Sequence, residues 1–421
     1  MLFGNNPKFR KKALPMLIIT TFLFFFYCGL YNDQLNVLTP YFTAKGWSAN
    51  AVTLPFTIGS YVVIVLYPIF SDWMLKRGIK KILIPCMVIV AITVALTGVV
   101  SNDPILYLID LTIFRCIVMA MQLSAMLLCS NWFIYGRGRA LGVVTAGAPL
   151  ATAILIRALT YGVNTYGMTP TYVVVGACIL VITVLIAIIV KDSPEECGLF
   201  PDGLDEMPVS QQEDEKMTLK EVFQNKLAWP VIISYGLLGF GIVGVMAFYV
   251  TRLDMSGTDP GLYLTWLSIA ALMGIPLSYL LGIIDDKIGT WQASLVLCAV
   301  GYVLPLLCLL FMPANNIAMI VLCAIGIAAM TGGEPTLQPS MIAYVYGRKK
   351  FNAANRWIIS LQAIIMAFAL PVISTIFDKT GKLDGAYILL LVFTAIAAVC
   401  FIIIGRHPDH DRAEENKVEA K

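Results

Sequence analysis

The stretch Gly282-Ile283-Ile284-Asp285-Asp286-Lys287-Ile288-Gly289 is a short charged turn between two long apolar segments. A related charged turn, residues 72–81, occupies the corresponding place in the first half of the chain. Charged turns that recur at corresponding positions in the two halves of an apolar sequence indicate an internal duplication. The sequence therefore predicts two halves of similar architecture.

Outside these turns the chain is strongly apolar. Of its 421 residues, 59% are hydrophobic and 13% are charged, whereas soluble domains are about half apolar and about a quarter charged. Twelve apolar runs have the length, about 20 residues, that is needed to cross a bilayer core about 30 Å thick. We place them near residues 14 to 41, 50 to 72, 82 to 100, 104 to 130, 139 to 163, 170 to 190, 229 to 250, 260 to 285, 291 to 311, 316 to 343, 354 to 376 and 385 to 405. The sequence predicts an all-α integral membrane protein with twelve transmembrane helices in two pseudo-symmetric six-helix halves.

One long polar segment divides the twelve spans into two groups of six. We assign residues 1–190 to the first half, 191–228 to a cytoplasmic linker, 229–405 to the second half and 406–421 to a cytoplasmic tail. The linker places Leu219, Val222 and Phe223 on one helical face, which predicts a short amphipathic helix at the membrane surface. Two such halves, with a binding site near the membrane midplane, are typical of one class of secondary transporter.

The basic residues predict the orientation in the membrane. With both termini in the cytoplasm, that side collects the basic clusters at residues 8–12, 76–81 and 348–350, as the positive-inside rule requires. We expect a multi-pass protein of the plasma membrane. The basic residues are followed by an apolar run too long for a signal peptide, so we expect the first span to be retained. The ten cysteines lack metal-type spacing, and we expect no metal site and no cofactor.

Two motifs carry a resemblance to a known family. The stretch 282–289 resembles the signature loop that the major facilitator superfamily has between spans two and three and again between spans eight and nine. Residues 132–142 contain Trp-Phe and Arg-Gly-Arg-Ala-Leu-Gly, similar to the loop that enters span five in the same superfamily. The resemblance covers essentially the whole chain and implies secondary active transport by alternating access.

Two further segments resemble organic-anion branches of that superfamily. Residues 194–203, Pro-Glu-Glu-Cys-Gly-Leu-Phe-Pro-Asp-Gly, are similar to segments of oxalate/formate antiporter-like and organophosphate antiporter-like members. The Gly332-Gly333 pair, with Pro339 and Tyr346-Gly347 after it, resembles the former branch. This resemblance implies a small organic anion as the substrate, with a carboxylate preferred, moved either as a symporter with protons or as an antiporter with a counter-transported anion.

Ionisable side chains inside spans are costly, and they tend to face protein or water-filled cavities. Arg115 lies about eleven residues into span four, which at 1.5 Å per residue is roughly 16 Å deep and close to the midplane. We predict that Arg115 binds the substrate anion, and the resemblance implies coupling as a further role for a span-four arginine. The alternative is a structural role, either as an ion pair with Asp33 or as a hydrogen-bonded arginine that orders the helices. The other substrate-binding candidates are Arg157, Tyr31, Asn32, Gln122 and Trp266.

Two carboxylates are candidates for proton coupling. Asp33 belongs to the cluster Asn32-Asp33-Gln34-Leu35-Asn36 in span one, and so much polarity predicts a face lined by water, because lipid offers no hydrogen bonds. Glu334 follows Gly332 and Gly333 and precedes Pro335, a composition that predicts a broken helix. We assign proton coupling to Asp33 and Glu334. For Glu334 a cytoplasmic gate is the alternative.

The charged turns predict gating of the transport cycle. Asp72 and Asp286 end inward-going helices, where a carboxylate can accept hydrogen bonds from the N-terminus of a neighbouring helix and hold one conformation closed. Lys287, Gly289 and Arg348 complete the predicted gate.

A second transport class stays open at the level of sequence. Efflux of hydrophobic or cationic compounds would require a large apolar cavity in which Asp33 and Glu334 dominate. A sensor or a membrane enzyme is disfavoured by the lack of a sizeable soluble domain, a phosphate-binding loop and a nucleophile constellation. We expect a monomer in the lipid bilayer with no nucleic-acid partner.

Overall fold

The computed structural model describes residues 6–133, 137–204, 219–346 and 350–406. These residues are almost entirely helical, with no strand among them. Twelve helical stretches are long and apolar enough to cross a membrane, which confirms the predicted all-α membrane fold. In order, spans one to twelve are Pro7–Ala44, Ala49–Tyr67, Ile79–Val99, Pro104–Trp132, Ala140–Tyr166, Met168–Ile189, Ala228–Met255, Pro260–Asp285, Thr290–Leu310, Ile317–Tyr346, Trp357–Thr380 and Asp384–Arg406.

Several spans begin at residues that satisfy the free N–H groups of a helix start. The side chain of Asn6 accepts hydrogen bonds from the amides of Lys8 and Phe9 at the start of span one. Asp103 and Asp259 have the same role for spans four and eight, and each is followed by a proline. An Asx cap followed by proline is a preferred helix start, because proline lacks the N–H that the first turn leaves unbonded.

Three spans contain a π-helical segment. Span one consists of the helices Pro7–Cys28 and Leu35–Ala44, joined by the π segment Gly29–Asp33. A second π segment, Ala151–Leu155, lies in span five, and a third, Cys298–Val303, lies in span nine. A π segment inserts a residue and disrupts the regular backbone ladder, and it is frequent at functional sites.

The other helical segments of the spans are α-helices. They are Ala49–Arg77, Ile79–Val99, Pro104–Trp132, Arg137–Thr145, Gly147–Leu150, Ile156–Tyr166, Met168–Ile189, Ala228–Met255, Pro260–Ile288, Thr290–Leu297, Leu304–Leu310, Ile317–Tyr346, Phe351–Ala367, Ala369–Thr380 and Asp384–Arg406. Two single 3₁₀ turns, Pro194–Cys197 and Pro201–Gly203, follow span six.

The second part of the linker forms a short helix, Leu219–Gln224. Val222 is fully buried, and its carbonyl accepts a 3.0 Å hydrogen bond from the hydroxyl of Tyr346. The ring of Phe223 stacks on Trp229, with 4.8 Å between the ring centroids. Val222 and Phe223 of the predicted apolar face therefore contact protein. Residues 205–218 of the linker lie outside the described residues.

The chain divides into two units, each with its own core. Unit 1 comprises Met1–Val37 and Leu54–Gln211, and unit 2 comprises Leu38–Thr53 and Gln212–Lys421. In unit 1 span three packs along spans four and six, and span one packs against span four. In unit 2 span eight packs along span ten, and span seven packs against spans eleven and twelve.

The segment Leu38–Thr53, which links spans one and two, groups with unit 2. The carboxylate of Asp378 in span eleven accepts hydrogen bonds from the amides of Ala49, at 2.7 Å, and Asn50, at 2.8 Å. Ser374 donates a further 3.3 Å hydrogen bond to the side chain of Asn50. Asp378 thus caps the first turn of the helix Ala49–Arg77.

Candidate functional site

The guanidinium of Arg115 is the centre of a buried polar site in unit 1. Its side chain is only 3% exposed. Nη1 donates to the backbone carbonyl of Tyr31 in span one, and Nη2 donates to the hydroxyl of Ser60 in span two at 3.1 Å. The guanidinium carbon lies 3.2 Å from the centroid of the Tyr31 ring and 5.5 Å from that of Phe56. Spans one and two therefore fix the orientation of a cation carried by span four.

A glycine of span two makes room for this arginine. A Cβ atom at Gly59 would lie 2.3 Å from Cγ and 2.5 Å from Cβ of Arg115. Any larger residue would displace the arginine stem, because real Cβ atoms do not approach other atoms so closely. The absence of a side chain at position 59 thus allows Arg115 to reach Ser60 and the face of Tyr31.

The charge of Arg115 is not compensated by an acidic partner. Among the described residues the ion pairs join Lys76 to Asp72 and Arg252 to Asp384, and neither involves Arg115. The Nε–H of Arg115 is buried and lacks a hydrogen-bond partner among the described residues. Nε and one Nη group form an edge that matches the two oxygens of a carboxylate. The site therefore combines a fixed cation with one donor, the Nε–H, that is unpaired among the described residues.

Of the two structural roles that were open for Arg115, an ion pair with Asp33 is not found among the described residues, whereas hydrogen bonds that join span four to spans one and two are present. The carboxylate of Asp33 accepts a hydrogen bond from the hydroxyl of Thr152 in span five. Asp33 is the last residue of the π segment in span one, and Thr152 lies in the π segment of span five. The two π segments meet at Gly29, where an added Cβ would lie 2.6 Å from Leu155 and 3.2 Å from Ala151.

The polar cluster around Asp33 differs from the water-lined face that the sequence predicted. Gln34 is 1% exposed and Asn36 is 2% exposed. The side-chain amide of Gln34 donates to the carbonyl of Leu30, and that of Asn36 donates to the carbonyl of Asp33 at 3.1 Å. These amides bind backbone groups that the π segment frees from the helical ladder. The water-lined face was predicted for Asn32 and Asn36, and it was wrong for Asn36, because a polar residue has the same sequence signature whether it faces water or backbone.

Glu334 lies in an environment of a different kind, in unit 2. The predicted break in span ten is not found, since the helix Ile317–Tyr346 continues through Gly332, Gly333 and Pro335. Tertiary packing supports helical proline inside a membrane domain. Glu334 is partly buried, and among the described residues it has no ion-pair partner.

The neighbours of Glu334 are phenols from two other spans. Its carboxylate interacts electrostatically with Tyr235 of span seven and Tyr302 of span nine. Tyr235 shares a 2.8 Å hydrogen bond with Ser294, and the hydroxyl of Tyr302 is buried without a partner among the described residues. Glu334 therefore has phenol groups among its electrostatic neighbours.

The remaining predicted substrate contacts differ in their surroundings. Tyr31 touches the guanidinium directly, and Asn32 follows it with a buried Oδ1 that has no partner among the described residues. Gln122 and Trp266 are partly buried, and Arg157 is exposed. Gln122, Trp266 and Arg157 stay predictions.

The predicted gate residues have specific neighbours. Asp72 is exposed and pairs with Lys76 at 2.7 Å. Asp72 was expected to accept hydrogen bonds from the start of a neighbouring helix. At the start of span three it is Asp192 that accepts a 2.8 Å hydrogen bond, from the amide of Lys80. Lys287 is exposed, and Gly289 has the positive φ of 99° that its turn requires. Arg348 and the side chain of Asp286 lie outside the described residues.

Sequence reasoning overlooked Asp285. It is 8% exposed, and its carboxylate accepts 2.6 Å hydrogen bonds from Thr290 in span nine and from Ser340 in span ten. This acid therefore joins the ends of three spans. The sequence does carry a signal for this difference. Successive side chains of a helix point about 100° apart, so only one of two adjacent aspartates can be buried against a given neighbouring helix.

Comparisons with known proteins agree with the helical architecture. The sequence pattern described as Major Facilitator Superfamily matches residues 17–356. The chain is 25% identical over 356 residues to "Uncharacterized MFS-type transporter YhjX" of Escherichia coli (strain K12), with 82% of each chain covered. Among solved structures it is similar to the nucleoside transporter NupG, with a TM-score of 0.71 and 12% identity over 92% of this chain and 99% of that one. A bacterial homologue of the human lysosomal transporter Spinster, solved inward-facing and unoccupied, has a TM-score of 0.64 and 15% identity, with 99% of both chains covered.

Proposed function

Because this chain belongs to the Major Facilitator Superfamily of membrane transporters, we propose that it moves a small organic anion across the plasma membrane by alternating access. The substrate class that we favour is a carboxylate. Transport is driven by a proton gradient or by exchange against a second anion. Both termini lie in the cytoplasm, and the monomer is the transporting unit.

One observation carries this proposal, the buried guanidinium of Arg115. The Nε–H of this guanidinium is buried and has no partner among the described residues, and leaving such a donor unpaired costs at least about 1 to 3 kcal/mol. Its neighbours in unit 1 are a carbonyl, a hydroxyl and two aromatic rings. None of these carries a negative charge, whereas a bound carboxylate would supply one and would accept two parallel hydrogen bonds.

The other substrate contacts follow from the same chemistry. Tyr31 supports the face of the guanidinium, and Asn32 offers an amide next to it. Gln122, Arg157 and Trp266 are proposed to contact parts of the anion that extend beyond Arg115. The support for these three is weaker than for Arg115, because it rests on the polarity and position of the residues in spans four, five and eight.

Asp33 and Glu334 are the proposed proton carriers. Each is a carboxylate inside a span, where the charged form is costly. Asp33 has a hydroxyl partner in Thr152, and Glu334 has phenols as electrostatic neighbours. Loss or gain of a proton at either site changes the cost of burying it, which is the requirement for coupling to a gradient.

Asp72, Asp286, Lys287, Gly289 and Arg348 are proposed to control conformational gating at the cytoplasmic side. The support is their location in charged turns next to inward-going helices. In the turn at residue 285, the buried Asp285 fixes the ends of spans eight, nine and ten to each other. That fixation leaves Asp286 to act on other groups.

The experiment is uptake of a panel of labelled carboxylates into proteoliposomes, with and without a pH gradient. We expect at least one small carboxylate to accumulate, and we expect Arg115→Gln to abolish its uptake. Arg252→Gln is a matched control, because Arg252 already donates to the carbonyls of Leu309 and Leu310 at 2.7 and 3.0 Å. Uptake that survives Arg115→Gln would reject the anion site.

Efflux of hydrophobic or cationic compounds is the alternative, and Glu334 favours it. A carboxylate without an ion-pair partner among the described residues can attract a cation as Arg115 attracts an anion. A panel of lipophilic cations in the same vesicles separates the two functions. Transport of cations that depends on Glu334 but not on Arg115 would select the alternative.

A further inference from the structure

The π segment Gly29–Asp33 in span one is held open by side chains. Three of its carbonyls accept hydrogen bonds from outside the backbone ladder. Gln34 donates to the carbonyl of Leu30, Arg115 to that of Tyr31, and Asn36 to that of Asp33. Each donor gives a carbonyl of the segment a side-chain partner in a nearly dry interior, where unpaired polar groups are costly.

Arg115 differs from the other two donors, because it belongs to another span and carries a charge. Gln34 and Asn36 lie on span one itself and move with it. The bond from Arg115 therefore links the register of span one to the state of its guanidinium. A carboxylate attracts a guanidinium more strongly than a neutral carbonyl does, so an anion at Arg115 competes with the carbonyl of Tyr31.

The other end of the π segment bears Asp33, and Asp33 binds Thr152 in the π segment Ala151–Leu155. The two segments are in close contact at Gly29, which has Leu155 and Ala151 against its missing side chain. A change of register by one residue turns the following side chains by about 100° around the helix axis. Such a turn would carry the Asp33 carboxylate away from the Thr152 hydroxyl.

We propose that the π segment Gly29–Asp33 is a switch that couples anion binding at Arg115 to the carboxylate of Asp33. The proposal rests on the anion site described above as the proposed function. An anion withdraws the guanidinium from the carbonyl of Tyr31, and the segment then changes register. The bond between Asp33 and Thr152 breaks, and Asp33 becomes available for proton exchange. Gln34 is a positioning residue, because it stabilises the π register without touching the anion.

The first test needs no ligand. Hydrogen–deuterium exchange of backbone amides is measured on the purified full chain, on Gln34→Leu and on Thr39→Val. Gln34→Leu keeps the size and removes the donor to Leu30, and exchange should rise about tenfold both at residues 29–36 and at residues 151–156, as expected when a buried hydrogen bond is lost. Thr39→Val is the control on the same span, because the hydroxyl of Thr39 has no partner among the described residues.

The amide exchange rate at residues 151–156 decides whether the proposal holds. Faster exchange there shows that the register of span one controls the facing segment of span five, whereas exchange confined to residues 29–36 would overturn the proposal. Should Gln34→Leu fail to fold, Asn36→Leu removes the donor to the carbonyl of Asp33 and is read in the same way.

A second arm separates this proposal from the proposed function. Oxalate and formate are added to the wild-type chain and to Arg115→Gln, and exchange is followed at the same two segments and around Arg115. An anion effect at both segments that disappears in Arg115→Gln supports the switch. An effect around Arg115 alone would leave the anion site intact and reject the switch. No anion effect anywhere would reject the carboxylate site and, with it, the ligand-driven step.

Discussion

The two units treat their buried charges in opposite ways. In unit 1, Arg115 has two hydrogen-bond partners and an aromatic face, yet all of them are neutral. In unit 2, Glu334 has no ion-pair partner among the described residues, and phenols are its electrostatic neighbours. The orientation of the cation is fixed while its charge is left uncompensated. The carboxylate is not paired with an opposite charge among the described residues.

This difference indicates two different uses. A guanidinium held only by neutral groups is suited to bind a planar anion, because a carboxylate attracts it more strongly than a carbonyl or a hydroxyl does. A carboxylate without a fixed partner is suited to change its protonation state, because no strong bond has to break when its charge disappears. Asp33 is intermediate between Arg115 and Glu334, because one hydroxyl, that of Thr152, donates a hydrogen bond to its carboxylate.

The largest effect is expected at Arg115. Removal of one partner of a buried charge pair costs about 2 to 5 kcal/mol, so Arg115→Gln should lower the apparent affinity for the transported anion by at least about thirtyfold. Arg115→Lys should restore little, because an ammonium lacks the planar fork that binds both carboxylate oxygens. The measurement is concentration-dependent uptake in proteoliposomes, normalised to folded protein. An uptake curve like that of Arg252→Gln would break the contrast between the units.

The next effect concerns coupling at the two carboxylates. Glu334→Gln and Asp33→Asn fix the neutral state, and whichever residue carries the proton should lose accumulation driven by the pH gradient. Exchange of labelled for unlabelled substrate should persist in that variant, because exchange needs no net proton transfer. Both reactions are measured in the same vesicles. Loss of both reactions together would assign the residue to binding or gating, and unchanged pH dependence in both variants would favour anion exchange.

Hydrophobic patterning predicted the twelve spans, because they follow from the length of apolar runs. The π segments were not predictable in this way. The segment Gly29–Asp33 depends on donors from Gln34, Asn36 and Arg115, and the last of these comes from another span. Local sequence does not encode such a partner, so the polar cluster in span one was interpreted as facing water.

A similar limit applies to the charged turn that first indicated duplication. The motif drew attention to Asp286, while the structure assigns the buried hydrogen bonds to Asp285. The partners of Asp285 are Thr290, five residues later, and Ser340, in a distant span. Pattern and resemblance located the turn. Only tertiary packing shows which of its two acids is buried.

The third prediction tests whether Arg115 needs the space that Gly59 of span two leaves for its side chain. Gly59→Ala places a Cβ where only 2.3 Å separates it from Cγ of the arginine, and overpacking of this kind costs about 1 to 3 kcal/mol. We expect a lower thermal unfolding midpoint together with a clear loss of anion uptake, because the guanidinium is displaced from Ser60. Gly142→Ala is the matched control, since nothing lies within 4 Å of a Cβ at that position. Equal losses of uptake in Gly59→Ala and Gly142→Ala would show that replacing any glycine has this effect and that crowding of Arg115 is not its cause.

The smallest effect compares two carboxylates of unit 2 by stability alone. Asp285 accepts two hydroxyl bonds of 2.6 Å, and bonds to a charged acceptor contribute about 1.5 to 3 kcal/mol. Asp285→Asn keeps one acceptor oxygen and replaces the other with a donor, so it should destabilise the fold by about 2 kcal/mol. Glu334→Gln removes a charge that is costly to bury and breaks no ion pair among the described residues. It should therefore leave the thermal unfolding midpoint unchanged or raise it. A midpoint lowered as much by Glu334→Gln as by Asp285→Asn would show that Glu334 is held by partners of its own, and the contrast between a fixed cation and a free carboxylate would fail.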